Sequence, residues 1–374
     1  MTDRPTGFRR SAQAALIAAS VVGAALPVWA AVISQPTGTI EGRAPTATGT
    51  LNVMFPDGAT AVANNAVMNI ALKPTDFRVS ASSLVLQDAD GDTGLSSSIN
   101  TAAVTWVWKY NNVALTAAQL AAPFSTNFLG KTLTVSASAP VTISSLTGAP
   151  TMGSPSTFSS ATYALVVPAS PPVVRVNGIS FAMNSGFPQT GFNQAQFQFW
   201  MNGTSAAGNS NYKFNPDPSA PWVTVNATTG IVKFTNTPTA AQTVNLTITD
   251  NRGGPATPFS FRVGTWFINN GSTTATAAGA DSYCASKTGY ATPSYLTMTN
   301  AAYNASGTRA PDGRLWDEWG NVSITDYSGS GWVSRYYWAL EPGGSDRYVV
   351  SLNNGYLYSY NSSNSYYVVC SRTL

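Results

Sequence analysis

Acid–base chemistry has little to work with here, because the 374 residues include no histidine. Histidine is the usual general base of nucleophilic hydrolysis and the commonest metal ligand, so Ser-His-Asp and most zinc mechanisms are excluded. Two cysteines are too few for a thiolate metal cage. Ser210-Asn211-Tyr212-Lys213 fits S-x-x-K and Lys287-Thr288-Gly289 fits K-T-G, spacings that serve a serine nucleophile. The Ser-Asp-Asn that should lie between them is missing, Thr249-Asp250-Asn251 being the nearest approach, and no helical pattern carries Ser210. Such matches arise readily in a chain rich in Ser and Thr, and the expectation is a protein that is not an enzyme and needs no cofactor.

One acidic cluster invites a metal reading. Asp88-Ala89-Asp90-Gly91-Asp92 copies the opening carboxylate spacing of an EF-hand loop, yet Thr93 stands where the sixth-position glycine belongs and Ile99 where the bidentate Glu belongs. The first expectation is therefore an acidic turn. The second is a weak calcium site at Asp88, Asp90 and Asp92, completed by backbone carbonyls, which would relieve the repulsion of three close carboxylates.

The other residues with chemistry to offer are Cys284 and Cys370, read as lying on the first and last strands of a terminal module. A disulfide closing that loop removes about 4 to 5 kcal/mol of unfolded-state entropy in the chain-entropy model, a large share for a domain under about 100 residues. From Asp281 to Leu374 fall thirteen of the sixteen tyrosines, while every phenylalanine lies upstream, so the composition itself marks a separate domain. Most of its aromatics are expected to be core. Aromatics beside charge are the better contact candidates, because Trp, Tyr and Arg are enriched at interface hot spots. These are Asp326 and Tyr327, Trp332 and Arg335, and Asp346, Arg347 and Tyr348.

The elements that would position these groups read as all-β. Residues 1–30 form a secretory signal: Arg4, Arg9 and Arg10, an apolar run from Ala14 to Val28, and the small-residue site Val28-Trp29-Ala30. No stretch after it is apolar enough to span a bilayer as a helix, and an exported chain keeps an even pair of cysteines oxidised. Without residues 1–30, 16 basic and 15 acidic residues remain, too balanced for a nucleic-acid partner. Residues 31–48 read as a Pro- and Gly-rich arm. Residues 49–168 read as an immunoglobulin-like sandwich centred on Trp106 and Trp108, and residues 173–270 as a second one, both from short alternating runs between turn residues. Residues 271–374 form the terminal module.

Within that module, the order Cys284, Trp319-Gly320, Tyr337-Trp338, Tyr348-Val349-Val350-Ser351-Leu352-x-x-Gly355 and Tyr367-Val368-Val369-Cys370 resembles the C-type-lectin-like domain that ends the intimin and invasin adhesins. Upstream, Val223 to Phe234, with its Thr229-Gly230 turn, is similar to the bacterial immunoglobulin-like repeats of surface adhesins. The resemblance implies a lectin-like tip on immunoglobulin-like modules that binds a host receptor or surface protein. It also implies export through an intimin-type outer-membrane barrel, which this sequence is read as lacking, so a separate translocator is expected. Glu341-Pro342-Gly343 is similar to the Glu-Pro-Asn of sugar-binding C-type lectins, but Gly343 replaces the Asn, which argues against calcium-dependent sugar binding. The expectation is a secreted, invasin-like virulence adhesin or effector. The alternatives are a carbohydrate-binding module with exposed aromatic platforms and a regulatory or structural partner of the chain's own translocator.

Overall fold

Alternation sets the first sandwich. In Thr132–Ser144 the residues Leu133, Val135, Ala137, Ala139, Val141 and Ile143 all turn inward, as the two-residue strand period requires. This long strand is the spine of a seven-stranded sheet, pairing with Thr105–Tyr110, Tyr163–Val166, Ser156–Ser159 and Ser96–Ile99. The structure, a computed structural model, describes residues 42–374; the expected signal sequence and most of the 31–48 arm lie outside the described residues. Trp108 is the buried centre, edge-on to Phe77 at 5.1 Å, and Trp106 packs half-buried beside the same core.

Phenylalanine builds the second sandwich. A five-stranded sheet runs in the order Ile179–Ala182, Val173–Val176, Gln196–Trp200, Ile231–Phe234, Val223–Val225, and faces a three-stranded sheet of Tyr212–Asn215, Thr243–Asp250 and Thr257–Arg262. Phe199 stacks on Phe214 at 5.7 Å across the two sheets, and Phe234 on Phe261 likewise. The Thr229-Gly230 turn needs its glycine: at φ +70° a Cβ would stand 2.7 Å from the Phe214 ring.

The terminal module carries a six-stranded sheet in the order Thr190–Phe192, Thr265–Ala275, Tyr366–Thr373, Tyr336–Gly343, Asp346–Ser351, Tyr356–Tyr360. Its first strand comes from the segment preceding Gln196–Trp200 and runs parallel to Thr265–Ala275. The boundary expected between residues 270 and 271 falls inside the continuous strand Thr265–Ala275, which bulges between Asn269 and Thr274. The second sandwich and the terminal module thus share one core, in which Phe187, Phe192, Trp266, Trp319, Tyr327 and Trp332 are all buried.

Cys284 and Cys370 are bridged, with Cα atoms 5.4 Å apart. Cys284, however, sits on a helix, Ala277–Ala285, rather than on a first strand. Thr276 caps it by accepting from Gly279 N, and four of its nine residues are Ala, so strong alanine propensity and a good cap outweigh its shortness.

Candidate partner-binding site

The nominated contact residues do not gather on one surface. Tyr327 is 1% exposed and Trp332 7%. Both are corrected from surface to core, because each ring packs edge-on against Phe192, at 5.2 and 5.7 Å, and the Tyr327 hydroxyl donates to Trp319 O. Arg347 is also committed inward. Its guanidinium grips Asp281 on the Ala277–Ala285 helix through two bonds of 2.6 and 2.7 Å and donates to Ala339 O. Against the burial that would raise it, hydrogen bonds from Arg347 and Thr292 hold the Asp281 carboxyl below its ordinary value. Asp326 and Arg335 are exposed, and Asp346 is half-buried in the hairpin opposite Gly343. Tyr348 is half-buried, with ring centroids 5.2 Å from Tyr295 and 5.8 Å from Tyr303.

Around Tyr348 the structure collects what the sequence scatters. The turn Tyr295–Thr297 is pinned to the Tyr336–Gly343 strand by Leu340 N donating to Pro293 O and Tyr295 N donating to Glu341 Oε2. On that frame Leu296, Leu340 and Tyr303 stand 55%, 54% and 51% exposed, the largest apolar exposures of the terminal module. Tyr303 continues the surface around the edge strand Tyr356–Tyr360: its ring lies nearly parallel to Tyr358 at 5.6 Å, and its hydroxyl meets Ser359 Oγ. Tyr356, Tyr360, Tyr366 and Tyr336 extend the row. Residues 351–371 hold no Asp, Glu, Lys or Arg, so the row is a neutral surface of Tyr, Ser and Asn. That composition suits recognition, since tyrosine offers large contact area at low entropic cost and Ser and Asn adapt their hydrogen bonds.

The Asp88, Asp90 and Asp92 turn is held by Arg43 and by local donors. Asp90 pairs with Arg43 at 2.8 Å, and hydrogen bonds from the Arg43 amide and guanidinium hold its carboxyl below the usual range. Asp88 Oδ1 accepts from the amides of Asp90 and Asp92, and Asp92 Oδ1 accepts from the Thr147 hydroxyl. Among the described residues no group of three or more His, Cys, Asp or Glu is placed to hold a metal ion. An arginine and local donors thus compensate charge at this turn. Glu341 is likewise engaged by Tyr295 N.

Known proteins meet this arrangement at the second sandwich. Residues 172–261 match the family described as invasin, domain 4. The chain is 33% identical over 185 residues to the inverse autotransporter adhesin YeeJ of Escherichia coli strain K12, and 28% identical over 166 residues to invasin of Yersinia enterocolitica. These matches support the intimin and invasin family. These stretches cover 49% and 44% of this chain, but only 7% and 18% of the two relatives. The crystal structure of invasin, a bacterial integrin-binding protein, superposes over 87% of this chain and 59% of its own with a TM-score of 0.50 at 21% identity. The fold is therefore that of invasin: two immunoglobulin-like sandwiches followed by a C-type-lectin-like domain with minor helix. The relatives are adhesins rather than enzymes. Among the described residues no helix is long and apolar enough to cross a membrane.

Proposed function

We propose that this chain is an exported adhesin or effector whose lectin-like domain binds a protein partner, a host receptor or a surface protein. The observation that carries the reading is the neutral, tyrosine-lined edge crowned by exposed Leu296, Leu340 and Tyr303. Exposed leucine beside rigid tyrosine is what a protein interface desolvates at its centre. The binding of integrin by invasin and the inverse-autotransporter character of YeeJ support a receptor at the tip and passage through an intimin-type outer-membrane barrel. Asp346, opposite Gly343 in the hairpin that carries Tyr348, then belongs to the polar rim, where charge tunes encounter more than affinity. Residues 1–30 would direct secretion and be removed, leaving the passenger extracellular or on the cell surface.

The test is binding of the labelled protein to cultured host cells, alongside the variant Leu296→Asp/Leu340→Asp. Binding that is lost in the variant and after protease treatment of the cells supports the reading. Loss after glycosidase treatment instead would favour a carbohydrate-binding module, whose specific support is the near-parallel setting of Tyr303, Tyr358 and Tyr356. Retention in an envelope complex with its barrel, with no cell binding, would favour a partner of the translocator.

A further inference from the structure

The short helix Leu315–Trp319 is buried along its whole length between the second sandwich and the terminal module, and it carries two adjacent acids into that interior. Glu318 and Asp317 are both 0% exposed. Glu318 reaches the sandwich segment that joins the terminal sheet: Oε1 accepts from Gln189 N at 2.9 Å and from Gly313 N at 3.3 Å, and Oε2 accepts from the Thr190 amide at 2.8 Å and from the Thr190 hydroxyl. Arg309 crosses the same junction in the opposite sense. It donates to Asn177 O and Val176 O on the sandwich side and to Asp317 O and Glu318 O on the helix. The helix ends at Gly320, whose φ of +67° favours glycine and where a Cβ would stand 2.3 Å from Arg309 Nη1.

Asp317 is poorly provided for. Its Oδ1 accepts a long 3.3 Å bond from Asn300 N, and its buried Oδ2 has no hydrogen-bond partner. Its nearest cation, Arg314 at 3.8 Å, is held more closely by Asp312. Burial, reinforced by the Asp312 charge, pushes the Asp317 carboxyl up to about 8. Burial pushes Glu318 up to about 7 against the pull of its Thr190, Gln189 and Gly313 hydrogen bonds. Arg309, Arg175, Tyr327 and Asp326 are the other charged or titratable groups at the junction, and none of them hydrogen-bonds either carboxylate.

We propose that Asp317 and Glu318 make the junction a proton-operated latch, tight in mild acid and loosened as the solution turns neutral to alkaline. Protonated Asp317 can donate to Asp312; ionised, it faces that carboxylate with an unpartnered oxygen. Protonated Glu318 can donate to the Thr190 hydroxyl oxygen. Both acids bind protons more firmly in the folded chain than in the unfolded one, where carboxyls titrate near about 4. Their contribution to stability is therefore complete below that value and is lost as pH rises through about 7 to 8. The chain has no histidine to mask the effect. The latch stands whether or not the tip binds a protein.

Thermal unfolding of the intact protein from acid to mildly alkaline pH tests this. The midpoint is expected to be highest in mild acid and to fall steadily through neutrality, and Asp317→Asn, which keeps the shape without the charge, should flatten that fall. A midpoint that is flat or rises over the range, or a fall unchanged in the variant, overturns the latch. Should the variant fail to fold, carbon-13 NMR titration of the wild-type side-chain carboxyls decides alone: two carboxyls titrating near neutrality support the latch, and none doing so overturns it.

Discussion

Arg347 shows how a residue of interface type is spent inside a fold. It lies in a charged, aromatic stretch of the sequence, yet its side chain is 12% exposed and its fork closes on Asp281. The pair ties the Asp346–Ser351 strand to the Ala277–Ala285 helix, and hydrogen bonds to charged groups of this kind are worth about 1.5 to 3 kcal/mol each. Because half of Asp281 stays in contact with solvent, the lower end of that range applies. Arg347→Ala is expected to lower stability by roughly 1.5 kcal/mol while leaving cell binding intact at temperatures where it stays folded. Denaturant titration and cell binding of one preparation check both halves, and lost binding in a fully folded variant would return Arg347 to the contact surface. The Asp281 carboxyl is held below its ordinary value, so its share of stability is present above the unfolded value near about 4 and is lost only below it. Its pH window is opposite in sense to that of Asp317 and Glu318.

At the scale of elements, the disulfide and the Asp281–Arg347 pair anchor one short helix to the terminal sheet. Just before the helix, Trp338 Nε1 donates to Ala275 O at 2.8 Å and holds the end of the strand that leads into it. Replacing both cysteines by alanine lengthens the free loop of the unfolded chain by a sequence separation of 86, a loss of about 4 to 5 kcal/mol in the chain-entropy model. The expected outcome is a lower denaturation midpoint with unchanged secondary structure by circular dichroism; an unchanged midpoint would mean that the unfolded state is already constrained. The period-two alternation of Thr132–Ser144 and the Thr229-Gly230 turn were legible because local pattern decides them. The helix bearing Cys284 was not, since its nine residues, mostly small, present no amphipathic stripe. The strand Thr190–Phe192 was also hidden, because its partner lies more than 70 residues away and is set by the shared core. Tyr327 and Trp332 were misplaced for a related reason: residue type marks an aromatic as useful, while only packing decides whether it faces Phe192 or water. Leu296, Tyr303 and Leu340 come from separate segments and meet only after folding.

At the scale of the molecule, the two junctions along the described residues are built differently. The first is a pin. Arg252, ion-paired with buried Asp250 at 2.8 Å, donates to Val67 O and lies 4.6 Å over the Phe55 ring of the first sandwich, which otherwise keeps its own cores. The second is a continuous core, with Phe192 touching Trp319, Tyr327 and Trp332 at once. Elements that share a core lose it together, whereas elements joined by a pin can unfold separately. Calorimetry of the intact protein should therefore resolve two transitions, one for the first sandwich and one for the second sandwich and terminal module together. Phe192→Ala should lower the second by roughly 3 to 5 kcal/mol, the cost of removing a buried phenylalanine, and leave the first in place. Three transitions, or a Phe192→Ala effect confined to the terminal module, would show that Thr190–Phe192 merely touches the neighbouring domain and that the junction does not join the two into one folding unit.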